Sequence, residues 1–381
     1  MQHNGISELL YEYLKPISAL LDDPEINEIM INAPTSDALD ASTVWIERSG
    51  RMEQQAITLK TDDIATAATV IAFHLNASLD AAHPILDSRL PDGSRVAIIV
   101  PPCSINGPTM TIRKFQADRW TLDALLQSGA ITADLVATVQ SAIDNRQNIL
   151  IAGGTGTGKT TLLNALATLI PKEDRLLIIE DTAEIQIKLP HIIRFEARNA
   201  IHNTTNANKS IAAVTIRDLL KAALRHRPDR IILGEIRGTE AADLLQALNT
   251  GHGGTFSTIH ANSAYLALER LKDLVIQSAE NIKAESAFRS IAHAIHLVLF
   301  IERHQGRRYV KEALKIKGFN TAEGEIITEI IYTHSNPQVS TASLYALNRA
   351  TADPHSTTAA ASAILDTPRP ASLLQAPSSV S

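Results

Sequence analysis

The residues best suited to chemistry lie in a glycine-rich stretch, GGTGTGKTT, that directly follows the apolar segment NILIA. The apolar segment, 148–152, predicts a buried strand, and the leucine spacing that follows predicts a helix beginning at Lys159. Glycines allow consecutive backbone N–H groups to face one anion without Cβ clashes, and the helix dipole adds to the attraction. The complete match to G-x-x-x-x-G-K-[ST] between a strand and a helix therefore predicts a nucleotide phosphate site.

Each residue type in this stretch has a defined part in holding ATP and Mg²⁺. Lys159 reaches the β- and γ-phosphates, and the Thr160 hydroxyl binds the magnesium ion. The predicted nucleotide-binding residues are Gly153, Gly154, Thr155, Gly156, Thr157, Gly158, Lys159, Thr160 and Thr161. The strand-to-helix context argues against the alternative, a Gly/Thr-rich loop that matches the motif by chance.

Two later apolar segments each end in acidic residues. Residues 175–179 predict a strand that leads into the acidic stretch EDTAE, 180–184, and a second apolar strand ends at Gly234 and Glu235. Ligands of open parallel α/β sheets bind at the carboxyl ends of the strands, where an acid holds magnesium through water or polarises the attacking water. Glycine stands where an aspartate usually precedes the glutamate, so Glu235 acts alone or shares this role with Glu184.

One histidine follows a strand at the same presumed edge. Residues 255–259 predict this strand, and His260 comes directly after it. Two interpretations are open: a hydrogen bond that senses the γ-phosphate, or a structural histidine. His252 lies at the opposite end of the strand, so the two histidines do not form an obvious metal pair.

Three arginines in the N-terminal third are further candidates. Arg89 and Arg95 flank the turn in RLPDGSRV, and Arg113 ends a strand in TIRK, so the three side chains can converge on one edge. A guanidinium group binds two phosphate oxygens at once, in a bidentate manner, and stays positively charged at all physiological pH values. The alternative is that all three are solvated surface arginines.

The remaining patterns predict the elements that position these residues. Before residue 116 they predict a small α+β domain, 1–115, with helices at 6–21 and 61–75, strands at 26–31, 44–47, 52–59 and 109–115, and a hairpin over 89–99. A polar linker follows at 116–121. Residues 122–333 then alternate strands with helices that start after Thr121 and Thr132 and span 159–169, 214–226, 263–277 and 283–295, and end in strands at 296–302, 308–316 and 325–332.

Composition limits the class of protein. The single cysteine, Cys103, rules out an intrachain disulfide and a multi-cysteine zinc site, and the net charge of −6 offers no basic surplus for coating nucleic acid. The longest apolar runs are far shorter than the ~20 residues that span a bilayer, and no basic-then-apolar leader opens the chain. We therefore expect a cytoplasmic protein without a transmembrane segment.

Two polar segments are predicted to lack regular structure. The Asn-rich residues 200–210 predict an exposed loop. Residues 334–381 hold only four charged side chains and are rich in Ala, Ser, Thr and Pro, so we expect a mostly disordered tail.

Taken together, these motifs make the chain from about Ile6 to Tyr332 resemble the secretion-superfamily traffic ATPases, most closely the type IV secretion and conjugal transfer branch. GGTGTGKTT is similar to the Walker A motif, IIEDTAEI to the aspartate box, RPDRIILGEIRG to an atypical Walker B motif and GHGGTFSTIHANSA to the histidine box. RLPDGSRV and TIRK extend the resemblance into the N-terminal third.

The resemblance implies a fold and an activity. It implies a RecA-like P-loop ATPase domain preceded by the α+β domain, assembled as a hexameric ring that hydrolyses ATP with Mg²⁺. The implied catalytic residues are Lys159, Glu184, Glu235, Arg113, Arg95, Arg89 and His260, and the implied magnesium site is Thr160 with Glu235, through water. Either Glu184 or Glu235 is the general base.

The same resemblance implies a cellular setting, with alternatives. We expect attachment to inner-membrane components of a secretion or conjugation machine, and no sequence-specific nucleic-acid binding. A pilus assembly or retraction ATPase, or a nucleotide-gated scaffold with little turnover, is the alternative. Type II secretion relatives usually carry a four-cysteine module, which a chain with one cysteine lacks.

Overall fold

The protein is described by a computed structural model that covers residues 13–34, 41–48, 50–75, 77–90, 92–115, 120–198, 212–278 and 282–334. By compactness the chain divides into residues 1–332 and 333–381. The predicted exposed loop at 200–210 and all but one residue of the predicted tail lie outside the described residues, as does most of the predicted linker at 116–121. The predicted domain boundaries therefore stay predictions.

The N-terminal third folds into an antiparallel sheet with helices against it. Its strands are β1 (Ile26–Asn32), β2 (Ala41–Arg48), β3 (Arg51–Lys60), β4 (Ile85–Arg89), β5 (Arg95–Ile99) and β6 (Thr109–Arg113), in the order β3-β2-β1-β6-β5-β4. Helix α1 (Ser18–Asp22) and helix α2 (Thr61–His74) complete this part. The buried face of α2, with Ile64 and Ile71 at helical spacing, joins Val44 and Ile46 of the sheet in one core.

The first predicted helix is interrupted. A 3₁₀ turn occupies Lys15–Ile17, and α1 begins only at Ser18. Pro16 has no backbone N–H and disfavours a helical conformation at the residue before it, so an apolar stripe alone does not continue the α-helix through this point. Residues 6–12 of the predicted helix lie outside the described part of the chain.

The second sheet is the centre of the remaining chain. Its strands are β7 (Ile149–Gly153), β8 (Leu176–Glu180), β9 (Ile192–Glu196), β10 (Arg230–Ile236), β11 (Phe256–His260), β12 (Leu297–His304), β13 (Arg307–Asn320) and β14 (Glu325–Thr333), in the order β14-β13-β12-β7-β11-β10-β8-β9. The pairs from β12 to β9 are parallel, and β13 runs antiparallel to β12. Strand β9 has no counterpart among the predicted elements, because its exposed Arg194 and Glu196 interrupt the apolar pattern.

Helices cover both faces of the parallel strands. They are α3 (Leu122–Gln127), α4 (Ala133–Asp144), α5 (Lys159–Ala167), α6 (Ile216–Ala223, followed by a 3₁₀ turn at Leu224–His226), α7 (Glu240–Asn249), α8 (Ala264–Ser278) and α9 (Ala284–Ala294). Leu150 packs with α6 to α9, whereas its neighbour Ile151 packs with α3 to α5. Burial on both faces explains why these strands are continuous apolar runs and why polar groups collect only at their ends.

An ion pair is buried below the amino ends of these strands. Arg230 Nε donates to Asp174 Oδ2 at 2.5 Å, and Arg230 Nη2 donates to the carbonyl oxygen of Ile143 at 3.0 Å. Both charged side chains are almost fully shielded from solvent. Asp174 also pairs with Arg146 at 3.4 Å, whereas the buried Arg230 guanidinium depends on Asp174 for compensation of its charge.

We expect Asp174→Ala to lower the free energy of unfolding by about 3 kcal/mol, because it leaves the Arg230 guanidinium buried without its counter-charge. The measurement is equilibrium urea unfolding at pH 7. Glu285→Ala, which removes an exposed ion pair with Arg289, is the matched control and should cost about 0.5 kcal/mol or less. Equal losses in the two variants would contradict the buried-pair account.

Candidate active site

The glycine-rich loop leaves β7 at Gly153 and enters α5 at Lys159. Gly156 and Gly158 have φ of +69° and +98°, in the left-handed region that favours glycine. A Cβ atom on Gly153 would lie 2.6 Å from the carbonyl oxygen of Ile301. The backbone itself thus requires these glycines, and it forms a loop at a helix N-terminus of the kind that binds phosphate.

Lys159 is buried inside this loop. Its Nζ donates to the carbonyl oxygens of Gly153 at 3.2 Å and Gly154 at 3.0 Å, and lies 3.3 Å from Nδ1 of His260. Burial lowers the pKa of Lys159, while the negative charge of Glu235 opposes this shift. The loop carbonyls therefore hold the ammonium group at the centre of the loop.

Glu235 stands near the carboxyl end of β10 and is mostly buried. Its Oε2 accepts a hydrogen bond from Nη2 of Arg237 at 2.6 Å, and Arg237 Nη1 lies 3.5 Å from Asp181. His260 Nε2 is 2.8 Å from Glu235 Oε1 but outside a hydrogen-bonding direction. Within the described residues, Oε1 is thus a buried carboxylate oxygen without a hydrogen-bond partner.

His260 lies between the loop lysine and this acid, at the carboxyl end of β11. Burial lowers the pKa of His260, and the positive charge of Lys159 lowers it further, so the imidazole is neutral at neutral pH. His252 is elsewhere, with its Nδ1 3.2 Å from the carbonyl oxygen of Ala247. The structure therefore places one histidine of the motif in the site and the other outside it.

The three N-terminal arginines lie in one row across β4, β5 and β6. Arg89 pairs with Arg95, and Arg95 pairs with Arg113, in the register of the sheet. Arg95 Nη1 lies 3.8 Å and Arg113 Nη1 3.7 Å from Oε1 of Glu184. Arg89 Nη1 donates to the carbonyl oxygen of Ala183 at 3.4 Å. All three guanidinium groups therefore contact the acidic segment that follows β8.

Glu180, at the end of β8, holds that segment in place. Its Oε1 accepts hydrogen bonds from the backbone N–H groups of Glu184 and Ile185, both at 2.7 Å. Arg194 Nη2 lies 3.4 Å from Oε2. Burial raises the pKa of Glu180 to about 6, against the hydrogen bonds and the Arg194 charge, which lower it.

Sequence reasoning assigned no role to three residues that the structure places here. Glu180 and Arg237 both lie within the quoted motifs. Their closeness in sequence to Glu184 and Glu235 is the pattern that indicates them. Arg308 had no such signal. Its Nε donates to the carbonyl oxygen of Gly156 at 3.1 Å only because β12 and β13 fold back beside the loop.

The residues present fit a nucleotide with Mg²⁺. The loop turns through Gly156 and Gly158 in the left-handed region and ends at a helix N-terminus, and Lys159 supplies a cation. Glu235 Oε1 is an orphaned buried oxygen, the kind of group that accepts a hydrogen bond from metal-bound water. Among the described residues, no separate cluster of His, Cys, Asp and Glu suits a metal ion.

Comparison with known proteins identifies the family. The family model described as "Type II/IV secretion system protein" matches residues 19–323 of the 381-residue chain. The chain belongs to the type II/IV secretion system protein family. This finding confirms the resemblance that the four motifs indicated.

Within the type II/IV secretion system protein family, relatives include conjugal transfer and secretion proteins. The chain is 37% identical to conjugal transfer protein TrbB of Rhizobium radiobacter over 303 residues, which cover 78% of this chain and 86% of TrbB. It is 34% identical to type IV secretion system protein PtlH of Bordetella pertussis over 324 residues, covering 77% of this chain and 91% of PtlH.

A solved structure supports the fold. The Legionella pneumophila ATPase DotB superposes with a TM-score of 0.53 at 16% identity and covers 86% of this chain and 82% of DotB. The predicted α/β class, a RecA-like P-loop domain preceded by a small α+β domain, is thereby confirmed. In the part of the chain that the structure describes, no helix is both long enough and apolar enough to cross a bilayer.

The raised pKa of Glu180 predicts a pH-dependent cost in stability. Because the folded protein binds this proton more tightly than the unfolded chain, with a pKa of about 6 against 4.5, ionisation of Glu180 disfavours the fold. The protonated Glu180 therefore makes a favourable contribution to the free energy of unfolding, which is fully present below pH 4.5 and is lost as the pH rises through about 6. That loss amounts to about 2 kcal/mol.

We expect Glu180→Gln to abolish this pH dependence, since an amide keeps a carbonyl acceptor but does not titrate. Urea unfolding of wild type and variant at pH 5 and pH 7 measures it. The stability of the variant relative to wild type should rise by roughly 1 to 2 kcal/mol between the two pH values. A constant difference would show that Glu180 has an ordinary pKa.

Proposed function

We propose that this protein is a Mg²⁺-dependent ATPase, assembled as a hexameric ring, that powers a bacterial type IV secretion or conjugative DNA transfer apparatus. The observation that carries the proposal is the meeting of three arginines from the N-terminal sheet with the acidic edge of the P-loop sheet. Membership of the family and the similarity to TrbB and PtlH support the cellular process.

The loop holds the nucleotide in this proposal. The backbone N–H groups of residues 153–161 bind the phosphates, and Lys159 exchanges its loop carbonyl contacts for phosphate oxygens. Thr160 and, through water, Glu235 would hold Mg²⁺. Bound MgATP supplies the γ-phosphoryl group and a divalent charge at the site.

The acids position the attacking water. Glu235 presents its unpartnered Oε1, and Glu184 presents a carboxylate that lies beside Arg95 and Arg113. Neutral His260, between Lys159 and Glu235, can hydrogen-bond to the γ-phosphate and so report whether it is present. Together these groups orient water in line with the γ-phosphorus.

The arginines couple hydrolysis to motion. The ion pairs of Arg95 and Arg113 with Glu184 are 3.8 and 3.7 Å long and partly exposed, so each contributes only about 0 to 1 kcal/mol. The greater charge of a γ-phosphate can therefore draw Arg89, Arg95 and Arg113 away, and hydrolysis releases them. In a head-to-tail ring, this exchange moves one domain against the other in each cycle.

The proposed setting is the cytoplasmic face of the inner membrane. We propose that the ring docks on inner-membrane components of the machine, which hold it at the membrane. The similarity to PtlH and TrbB, which are a secretion and a conjugal transfer protein by name, supports this placement.

We expect specific ATPase activity to rise with protein concentration as the ring assembles, and Lys159→Ala to reduce turnover at least ~100-fold through loss of the phosphate-bound cation. Steady-state hydrolysis, with molecular mass measured on the same samples, tests both. Normal turnover by the Lys159→Ala variant would end this account. Absent turnover, or flat turnover by a monomer, would favour a nucleotide-gated scaffold.

We expect Arg113→Ala to lower turnover by roughly 10- to 100-fold while the free energy of unfolding changes by less than about 1 kcal/mol, because the guanidinium is half exposed. Arg51→Ala, an exposed arginine on β3 at the far edge of the same sheet, is the matched control and should keep wild-type turnover. An Arg113→Ala protein that unfolds would make the arginine structural.

A further inference from the structure

Two buried glutamates occupy equivalent places beside the two acids. Glu180 ends β8, and Glu240 begins α7 after the short loop 237–239 that follows β10. Their exposed fractions are 3% and 6%, whereas glutamate side chains are rarely buried to this extent. Both carboxylates accept hydrogen bonds from the protein's own backbone, so nucleotide binding is not needed to explain why they are buried.

Glu180 holds the loop that carries Glu184. Its Oε1 accepts the backbone N–H groups of Glu184 and Ile185 at 2.7 Å each, and the Ile185 side chain is fully buried in the core. A Cβ atom on Gly234 would lie 3.1 Å from Cγ of Glu180. Glu180 therefore packs against the residue that precedes Glu235 while it fixes the backbone of Glu184.

Glu240 does the same for the loop after β10. Its Oε1 accepts the backbone N–H groups of Arg237 at 2.6 Å and Gly238 at 2.8 Å. The guanidinium of Arg237 in turn donates to Glu235 Oε2 at 2.6 Å. Glu240 thus fixes the backbone of Arg237, the residue whose side chain orients Glu235.

The physical reason is the backbone of these loops. Residues 181–185 and 237–238 are not in helices or strands, so their N–H groups lack ladder partners and need acceptors of another kind. A carboxylate oxygen that accepts two N–H groups forms short, strong bonds and fixes both peptide planes at once. Each loop carries a side chain whose position decides the chemistry at the site.

We propose that Glu180 and Glu240 are positioning residues for phosphoryl transfer: each pins, through one carboxylate oxygen and two backbone N–H groups, the loop that places Glu184 or the Arg237–Glu235 pair. The inference rests on the proposed ATPase function. It assigns these two glutamates a geometric role, with no contact to the reacting atoms.

The test separates reach from charge. Glu180→Asp and Glu240→Asp keep the charge but withdraw the oxygen by one C–C bond, about 1.5 Å. Glu180→Gln and Glu240→Gln keep a carbonyl oxygen at the original reach and remove the charge. Glu312→Asp is the control, because Glu312 is partly buried and accepts a backbone N–H, from Ala264 at 3.4 Å, away from the acids.

We expect each Asp variant at 180 or 240 to lower kcat by about 100-fold while KM for ATP changes by less than about 3-fold, as for a 1 Å misplacement of catalytic groups. Each Gln variant should stay within about 5-fold of wild type, and Glu312→Asp should match wild type. Asp variants with wild-type kcat, or Gln variants as impaired as Asp variants, would overturn the proposal. So would loss of the cooperative unfolding transition, which would make the residue structural.

Amide hydrogen exchange keeps this inference separate from the proposed function. The backbone amides of Glu184, Ile185, Arg237 and Gly238 should exchange faster in the matching Asp variant and remain protected in the Gln variant. If wild type hydrolyses no ATP, the proposed function fails, and exchange alone then decides whether the glutamates pin the loops. Unchanged exchange in the Asp variants overturns the positioning role.

Discussion

Neutralisation of charge at the carboxyl edge of the parallel sheet is the constraint on which the rest of the structure depends. Helices cover both faces of these strands, so polar groups can collect only at the strand ends. Lys159 and Glu235 are both largely shielded there, and a shielded charge is costly unless partners surround it. Loop carbonyls satisfy Lys159, and Arg237 satisfies one oxygen of Glu235, while the other lies beside His260 without a hydrogen bond.

The same constraint explains how the N-terminal sheet contributes to the site. Arg95 and Arg113 meet Glu184, and Arg89 meets Glu196, through long, partly exposed ion pairs. Among the described residues, the apolar core of the N-terminal sheet is separate from the two cores of the second sheet. A second polar contact joins Arg303 of β12 to the carbonyl oxygen of Gly50 and to Glu47 in the β2–β3 hairpin. Polar contacts of this kind exchange readily for a charged ligand, whereas a buried apolar interface would resist separation.

Particular elements show where sequence reasoning succeeds and where it fails. The P-loop strand and helix follow from local rules, since glycine spacing and apolar runs depend on neighbouring residues. The N-terminal helix breaks at a 3₁₀ turn because Pro16 overrides the apolar stripe. Strand β9 forms because β8 offers an open edge for parallel pairing. The exposed Arg194 and Glu196 interrupt its apolar pattern, so the local sequence does not predict a strand there.

The sequence by itself determined the nucleotide motif, the order of most elements and the family, because these depend on residue types and spacing along the chain. Only the tertiary structure decided which charges meet. Lys159 and His260 are 101 positions apart in sequence, yet Nζ of the lysine lies 3.3 Å from Nδ1 of the histidine. Arg95, on a strand of the first sheet, contacts Glu184, which follows a strand of the second sheet. Such contacts depend on strand order and crossover connections, which no local pattern encodes. For the same reason the two glutamates that hold the loops became visible only in the fold.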